Sequence, residues 1–175
     1  MAKKVSPRKT PSRDEKYMGA AFWEASFSKD PSTQMGAVIV TLQNKPLGRG
    51  YNGPPAQFND EQMDWARPGK YGKIIHAEIN AIRHSDPDKL PGSTIYVTGK
   101  PCGPCMLAIV AAGITRVVYF NRKNYDAGSM MQNKSIFEES DEIAQDGRIR
   151  VEEFKGNLNW MRDRMKQMEQ LGIFD

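Results

Sequence analysis

Two short clusters of metal-binding residue types constrain this 175-residue chain more than any other feature. The first is His76-Ala77-Glu78, and the second is the run PCGPC at residues 101–105. Each cluster stands where a strand or a loop is predicted to give way to a helix, and a predicted strand at 93–98 lies between them. If the clusters meet at one site, the fold must bring two helix N-termini together across that strand.

The residue types in the clusters indicate zinc. Two thiolates and one imidazole are ligands that zinc prefers, and a catalytic zinc keeps three protein ligands with its fourth position open. We therefore predict one Zn²⁺ per chain, bound by His76, Cys102 and Cys105. The C-x-x-C spacing lets both sulfurs converge on one ion within the first turn of a helix, whose positive dipole end favours the thiolate. Glu78, two residues from His76, is the predicted catalytic proton carrier and not a ligand.

Other interpretations of these residues explain less. A redox pair would account for the two cysteines but would leave the His-Ala-Glu cluster unexplained. His76 alone is compatible with a core histidine, but that leaves the cysteines without a role. A purely structural zinc site would need a fourth protein ligand. The other histidine of the sequence, His84, lies two helical turns beyond His76 and far along the helix axis for one ion.

Hydrophobic periodicity divides the chain into alternating helices and strands. The predicted helices cover residues 14–29, 74–83, 106–112, 135–145 and 158–170, and the predicted strands cover 35–42, 47–51, 93–98, 115–120 and 148–154. The alternation predicts an α/β sandwich with parallel pairing in its later part. The long segment 52–71 predicts a loop of a length that is uncommon unless it is functional.

Two further groups of residues have structural interpretations. The apolar residues of the last predicted helix are typical of packing and not of a ligand site; they are Trp160, Met161, Met165 and Met168. Lys70 and Lys73, close to the first cluster in sequence, are expected to be solvated.

Charge is unevenly distributed along the chain. Five of the 25 Lys and Arg residues lie in residues 1–13, which contain no acid, and the remainder is close to neutral although the whole chain carries +4. Because basic and acidic residues are nearly equal in number outside this segment, the charge argues against a nucleic-acid-binding surface. We predict that residues 1–13 form a disordered basic tail and residues 14–175 a single domain.

No apolar run approaches the ~20 residues that span a bilayer, and no secretory signal pattern is present, so a cytoplasmic location without a membrane partner is expected.

Several segments carry a family resemblance. The pattern H-x-E followed by P-C-x-x-C is the signature of zinc-dependent deaminases of cytosine or adenine, and every residue of it is present. Residues 28–40 (SKDPSTQMGAVIV), GYNG at 50–53, HAEINAI and TGKPCGPC resemble deoxycytidylate (dCMP) deaminases. The stretch WARPGKYGKIIHAE is similar to phage and bacterial members in particular. The resemblance runs from about residue 14 to residue 125.

The resemblance implies a fold and a reaction. The fold is the cytidine deaminase-like three-layer α/β/α sandwich, with a mixed sheet of about five strands. The reaction is zinc-dependent hydrolysis of dCMP to dUMP and ammonia, which supplies dUMP for dTMP synthesis. The resemblance also implies a homo-oligomer, commonly a hexamer, that is activated by dCTP with Mg²⁺ and inhibited by dTTP. Some members hold a second, structural zinc, but residues 53–75 contain neither Cys nor His, so we do not expect one here.

The resemblance also implies roles for individual residues. Asn52 would hydrogen-bond the sugar 3′-hydroxyl, Ser28 and Lys29 would lie near the phosphate, and Tyr125 would be a further substrate contact. An allosteric nucleotide site at a subunit boundary would use three residues of the GYNG segment, namely Gly50, Tyr51 and Gly53. The same segment also fits an ordinary tight turn, because Asn-Gly is the commonest hairpin signal.

Three functions are open at this point. The first is deamination of a free nucleotide, either dCMP or dCTP or both. The second is deamination of a base in a nucleic acid, which the balanced body charge opposes and the basic tail keeps open. The third is a nucleotide sensor without activity, which the presence of Glu78 opposes because binding alone does not require a proton carrier.

Overall fold

One five-stranded mixed sheet organises the computed structural model, which describes residues 9–120 and 134–173. The strands are β1 (Gly36–Val40), β2 (Pro46–Tyr51), β3 (Thr94–Val97), β4 (Arg116–Tyr119) and β5 (Arg150–Glu153). The helices of the described ranges are α1 (Arg13–Ala25), α2 (Ala77–Arg83), α3 (Gly103–Ala111), α4 (Lys134–Asp146) and α5 (Asn159–Gln170). All ten predicted elements are therefore present in the predicted order.

The strand order is β2-β1-β3-β4-β5. β1 is antiparallel to both of its neighbours, whereas β3, β4 and β5 run parallel to one another. Parallel neighbours need a crossover connection, and α3 supplies it between β3 and β4. The prediction of a mixed sheet with parallel pairing in its later part is confirmed.

Alternate residues of the strands face two separate cores. Ala37 and Ile39 of β1 pack on one face against residues of α2, α3 and α4. Val38 and Val40 face the other side, where they meet the apolar residues of α1. Because side chains alternate between the faces of a strand, a strand buried on both faces reads as a continuous apolar run, as Gly36–Val40 does. Helices cover both faces, so the predicted three-layer α/β/α sandwich is confirmed.

Three helices depart from their predicted bounds by more than one residue. α1 begins at Arg13, and Ser12 and Glu15 form a capping box before it, so the end of the predicted tail belongs to this helix. α2 begins at Ala77 and not at residue 74, because Ile75 pairs with Gly53 in an isolated antiparallel bridge. α3 begins at Gly103, three residues earlier than predicted. Residues 1–8 lie outside the described ranges.

The apolar side of α5 packs on α1 at its first turn, and Met168 near its end is partly buried. A Cβ atom on Gly19 of α1 would lie 2.7 Å from the Met161 sulfur and 3.2 Å from the Trp160 ring, so these two side chains lie directly on α1. Met165, one turn later, is 49% exposed. The predicted packing role therefore holds for the start of the helix.

Among the described residues, no helix combines the length and the apolar character needed to cross a membrane.

Candidate active site

His76 occupies the N-cap position of α2. Its backbone is extended, and its carbonyl accepts the first helical hydrogen bond from Asn80 N at 3.1 Å. The bridge between Ile75 and Gly53 holds the residue immediately before it, with N–H to carbonyl distances of 3.1 and 2.8 Å. Ala77 and Ala81, both fully buried, fix the helix against the sheet. The position of His76 is thus determined from both sides.

The two cysteines lie in the first turn of α3. Cys102 is the N-cap residue of this helix, and its carbonyl accepts from Met106 N at 2.8 Å. Cys105 follows at the third helical position and is 2% exposed. Thr98 follows β3 directly and leads toward this helix. Its backbone N–H donates to the Gly36 carbonyl, and its hydroxyl accepts from the Gly36 N–H, both at 3.0 Å.

The three predicted ligands meet in one cluster. The Nδ1 atom of His76 lies 3.2 Å from Cys105 Sγ and 3.5 Å from Cys102 Sγ, and all three donor atoms lie within 4.8 Å of one another. Tetrahedral zinc, with bonds of about 2.3 Å to sulfur and about 2.0 Å to nitrogen, would set such atoms about 3.5 Å apart. His76 is exposed while Cys105 is buried, so the cluster lies at the surface and extends into the protein. Donor types, spacing and access all fit a zinc ion with an open position.

Protons are shared unequally within the cluster. The hydrogen bond with Cys105 lowers the pKa of the Cys102 thiol to about 4, and the hydrogen bond with Cys102 raises the pKa of the His76 imidazole to about 9. The pKa of Cys105 is raised, because this thiol donates to Cys102 and is buried. A cation that binds all three groups must displace the protons on His76 and Cys105, so metal binding competes with protons here.

Glu78 lies beside the cluster in the first turn of α2. Its side chain is 4% exposed and forms a hydrogen bond with Cys105. Burial raises the pKa of this carboxyl group above its ordinary value. A buried carboxyl group next to a metal-binding cluster can exchange protons with whatever occupies the open side of that cluster.

Asn52 and Ser28 come together next to His76. Continuing the antiparallel bridge between Gly53 and Ile75 by one residue brings Asn52 opposite His76. The Ser28 hydroxyl donates to the Asn52 carbonyl at 2.8 Å. The Asn52 side chain accepts from Met35 N at 2.8 Å and donates to the Thr33 carbonyl at 2.9 Å, which leaves one amide N–H and one lone pair for another partner.

The remaining predicted substrate residues differ in their placement. Lys29 is exposed, and its ammonium group forms an ion pair with Asp60 of the long loop. That contact raises the pKa of Lys29, so its positive charge is retained. Tyr125 lies outside the described residues.

The GYNG segment is not a tight turn. Gly50 and Tyr51 are the last residues of β2, and Gly53 forms the bridge with Ile75. The turn interpretation of this segment is therefore wrong; the chain continues in extended form because it pairs first with β1 and then with Ile75. Gly50 has a packing role, since a Cβ atom there would lie 2.5 Å from Ala81 N and 2.7 Å from the Ala77 carbonyl oxygen.

The two glycines of this segment give a matched test of that packing role. We expect Gly50→Ala to destabilise the fold by about 1–3 kcal/mol, because the new methyl group meets backbone atoms of α2 that cannot rotate away. Gly53→Ala should have little effect, because a Cβ atom there has no neighbour within 4 Å. Thermal unfolding of both variants without nucleotide is the measurement. Equal stability of the two would contradict the close approach of β2 to α2.

Lys70 is buried in an ion pair with Asp30. The expectation of a solvated lysine is wrong, because its side chain is 3% exposed and its ammonium group lies 2.6 and 2.7 Å from the two carboxylate oxygens of Asp30. No sequence pattern indicates such burial, since lysine is almost never fully buried unless it is paired. Lys73, three residues later, is exposed as expected.

Comparison with known proteins agrees with the fold and the cluster. The family model for the cytidine and deoxycytidylate deaminase zinc-binding region matches residues 11–121. Together with the fold and the cluster of His76, Cys102 and Cys105, this match defines the class of the protein as a hydrolytic deaminase with a zinc-binding site.

Individual relatives narrow the class further. Deoxycytidylate deaminase of Pongo abelii is 37% identical over 130 residues, which cover 71% of this chain and 73% of that protein. The deoxycytidylate deaminase of Mycobacterium phage D29 is 37% identical over 122 residues, or 62% of this chain and 94% of that protein. The chain thus belongs to the deoxycytidylate deaminase family, and the resemblance drawn from its motifs is confirmed.

A solved structure supports the fold independently. The crystal structure of the dCMP deaminase from the cyanophage S-TIM5, in complex with dCMP and dUMP, superposes with a TM-score of 0.58 at 23% identity. The match covers 84% of this chain and 100% of that one. At this identity the likeness concerns the fold, which is that of the cytidine deaminase-like proteins.

Proposed function

We propose that this protein converts dCMP and water to dUMP and ammonia, with one zinc ion per chain at His76, Cys102 and Cys105. The observation that carries the proposal is the buried carboxyl group of Glu78 beside three convergent zinc-type ligands. The substrate is inferred from the relatives, which are named deoxycytidylate deaminases, and from the S-TIM5 enzyme, whose structure contains dCMP and dUMP. Such a reaction supplies dUMP for dTMP synthesis.

The chemistry divides between the metal and Glu78. Zinc bound by these three ligands would supply Lewis acidity and lower the pKa of a water molecule to about 7. Glu78 would take a proton from that water and deliver it to N3 of the cytosine ring, which makes C4 electrophilic. Once the water oxygen has bonded to C4, the same carboxyl group would take the remaining proton from that oxygen and pass it to the amino group, which leaves as ammonia when the C4–N bond breaks. Its burial beside Cys105 keeps it within reach of both partners and away from bulk water.

The nucleotide contacts are assigned on the side of the cluster that carries Asn52. The free N–H and lone pair of Asn52, opposite His76 in register, suit a hydrogen bond with the sugar 3′-hydroxyl. Ser28 is bound to Asn52, and Lys29 follows it with an exposed positive charge that would attract the phosphate. Tyr125 stays a predicted further contact.

Regulation and assembly are proposed from the family resemblance alone. They comprise a hexameric homo-oligomer, activation by dCTP with Mg²⁺, inhibition by dTTP and an effector site that includes Gly50, Tyr51 and Gly53. The single-domain organisation of residues 14–175 and the cytoplasmic location are likewise predictions from the sequence. So is the disordered tail predicted for residues 1–13, except that Ser12 caps α1 and Arg13 begins it.

A substrate panel tests the proposal. The zinc-loaded protein is incubated with dCMP, dCTP, deoxycytidine and a cytosine-containing single-stranded oligonucleotide, and deaminated product is measured for each. We expect the highest kcat/KM with dCMP, poor use of deoxycytidine and little activity on the oligonucleotide even at low salt, where phosphate contacts are strongest.

Two outcomes of the panel would contradict the proposal. A higher kcat/KM for dCTP than for dCMP would assign the protein to triphosphate deamination. Deamination of the oligonucleotide with dCMP left untouched would assign it to nucleic-acid bases, although the zinc chemistry would stand.

A further inference from the structure

A buried ion pair lies between the two segments that lead into the active site. Lys70 and Asp30 are each 3% exposed at the side chain, and the ammonium group contacts both carboxylate oxygens of Asp30 and the hydroxyl of Ser32. The three N–H donors of the lysine are therefore all used. Burial acts to raise the pKa of Asp30, but hydrogen bonds from Lys70 and from the turn that follows Asp30 together outweigh it and keep this pKa below its ordinary value.

Asp30 connects this pair to Asn52. Its carboxylate accepts from the backbone N–H groups of Ser32 and Thr33 at 2.9 and 3.0 Å, so it fixes the turn at 30–33. The carbonyl of Thr33 then accepts from the Asn52 side-chain amide, and Met35, two residues on, donates its N–H to the Asn52 side-chain oxygen. Both polar atoms of the Asn52 side chain are thereby oriented by the segment that Asp30 holds.

Lys70 connects the same pair to His76. A short 3₁₀ turn (Tyr71–Lys73) follows Lys70 directly, and Ile75 then pairs with Gly53. His76 is the next residue. Within this loop a charged side chain supplies a connection to the rest of the fold, namely Lys70 through its ion pair with Asp30. Arg67 adds a second one, since its guanidinium donates to the Thr33 hydroxyl at 2.9 Å.

The pair is costly as a source of stability alone. Each charge loses its hydration on burial, and replacing a buried ion pair by uncharged groups of similar volume is often neutral. What the pair does provide is a fixed geometry, because three donors and two acceptor oxygens are satisfied only when the turn and the loop stand in one arrangement.

We propose that Lys70 and Asp30 are positioning residues, whose ion pair sets Asn52 and the Ile75–Gly53 bridge relative to His76 and thereby governs nucleotide binding. The link to nucleotide binding rests on the function proposed above, in which Asn52 contacts the sugar. The positioning itself is a property of the folded protein and can be measured without substrate.

The test uses the zinc-loaded protein with Lys70→Met, with the double variant Asp30→Asn/Lys70→Met, and with Lys89→Met as a control. Lys70→Met leaves Asp30 buried without its cation, so we expect Tm to fall by about 10 °C. The double variant removes both charges and keeps an acceptor at position 30, so it should recover most of that loss. Lys89 forms an exposed ion pair with Asp86, and its replacement should change nothing.

Hydrogen exchange and kinetics on the double variant are the deciding measurements. We expect amide exchange at Met35, Gly53 and Ile75 to become about tenfold faster, because these amides lose the arrangement that the pair fixes. KM for dCMP should rise about tenfold with kcat within about twofold, the pattern of lost binding without lost chemistry.

Two results would count against the proposal in different ways. Unchanged exchange at the three amides in a folded double variant would overturn the positioning role, whatever the activity. Faster exchange with an unchanged KM for dCMP would overturn the link to nucleotide binding and with it the sugar contact of Asn52. Failure of the unmodified protein to deaminate dCMP would instead contradict the proposed function, and the exchange experiment would still decide the positioning role.

Discussion

Glu78→Gln is expected to lower kcat by at least ~10²–10⁴-fold, the range for loss of one general acid–base group. Glutamine has nearly the same size and fills the same buried space beside Cys105, but it cannot take up and release a proton near neutral pH. The zinc content and the affinity for dCMP should stay close to those of the unmodified protein. Steady-state kinetics, elemental analysis and calorimetry of dCMP binding check the three parts.

A second buried glutamate provides the matched control. Glu24 of α1 is 8% exposed and lies 3.6 Å from Arg49, away from the cluster. Glu24→Gln should therefore leave kcat within about twofold of the unmodified value. Near-normal turnover in Glu78→Gln would show that another group carries the protons. Loss of zinc in that variant would mean that Glu78 also supports the ligands.

Replacement of any one of the three ligands is expected to remove zinc and abolish activity. In Cys102→Ser, Cys105→Ser and His76→Ala only two donors are left, and zinc sites of this class need three protein ligands. We expect close to one zinc per unmodified chain and about one tenth of that or less in each variant after dialysis, as measured by elemental analysis.

His84→Ala is the control for the ligand variants. His84 ends α2, and its ring contacts the Arg49 carbonyl at 3.2 Å, so its loss should leave the zinc content unchanged. A normal zinc content in Cys102→Ser would disprove the ligand assignment. Two tightly bound zinc ions per unmodified chain would disprove the single site.

Fold and metal cluster were predictable for a common reason. Continuous apolar runs such as Gly36–Val40, followed by helical periodicity, reflect burial on both faces of a sheet, which is a local property of the sequence. The cluster was predictable because His76, Cys102 and Cys105 are chemically distinctive and each lies at a helix N-terminus that the pattern itself indicates.

The contacts around the cluster depend on pairings that no local pattern encodes. The helical period around Ile74 predicts a helix there, yet the bridge with Gly53 takes Ile75 into an extended conformation. The Asn-Gly pair of the GYNG segment predicts a turn, but β2 pairs with β1 up to Tyr51 and Gly53 then pairs with Ile75, so the chain stays extended. Burial of Lys70 depends on Asp30, forty residues away, and an ion pair of that separation leaves no trace in periodicity or composition.

The position of β3 has a consequence for the order in which this protein assembles. His76 precedes β3 and the two cysteines follow it, while β3 itself pairs with β1, which is more than fifty residues earlier in the chain. Pairings between distant segments form slowly, because loop-closure entropy is lost before their contacts are gained. The β1–β2 hairpin joins residues that are close in the chain, whereas the ligands converge only when β3 has entered the sheet. We therefore expect binding of zinc by all three ligands during refolding to follow the closing of the central sheet and not the initial collapse of the chain.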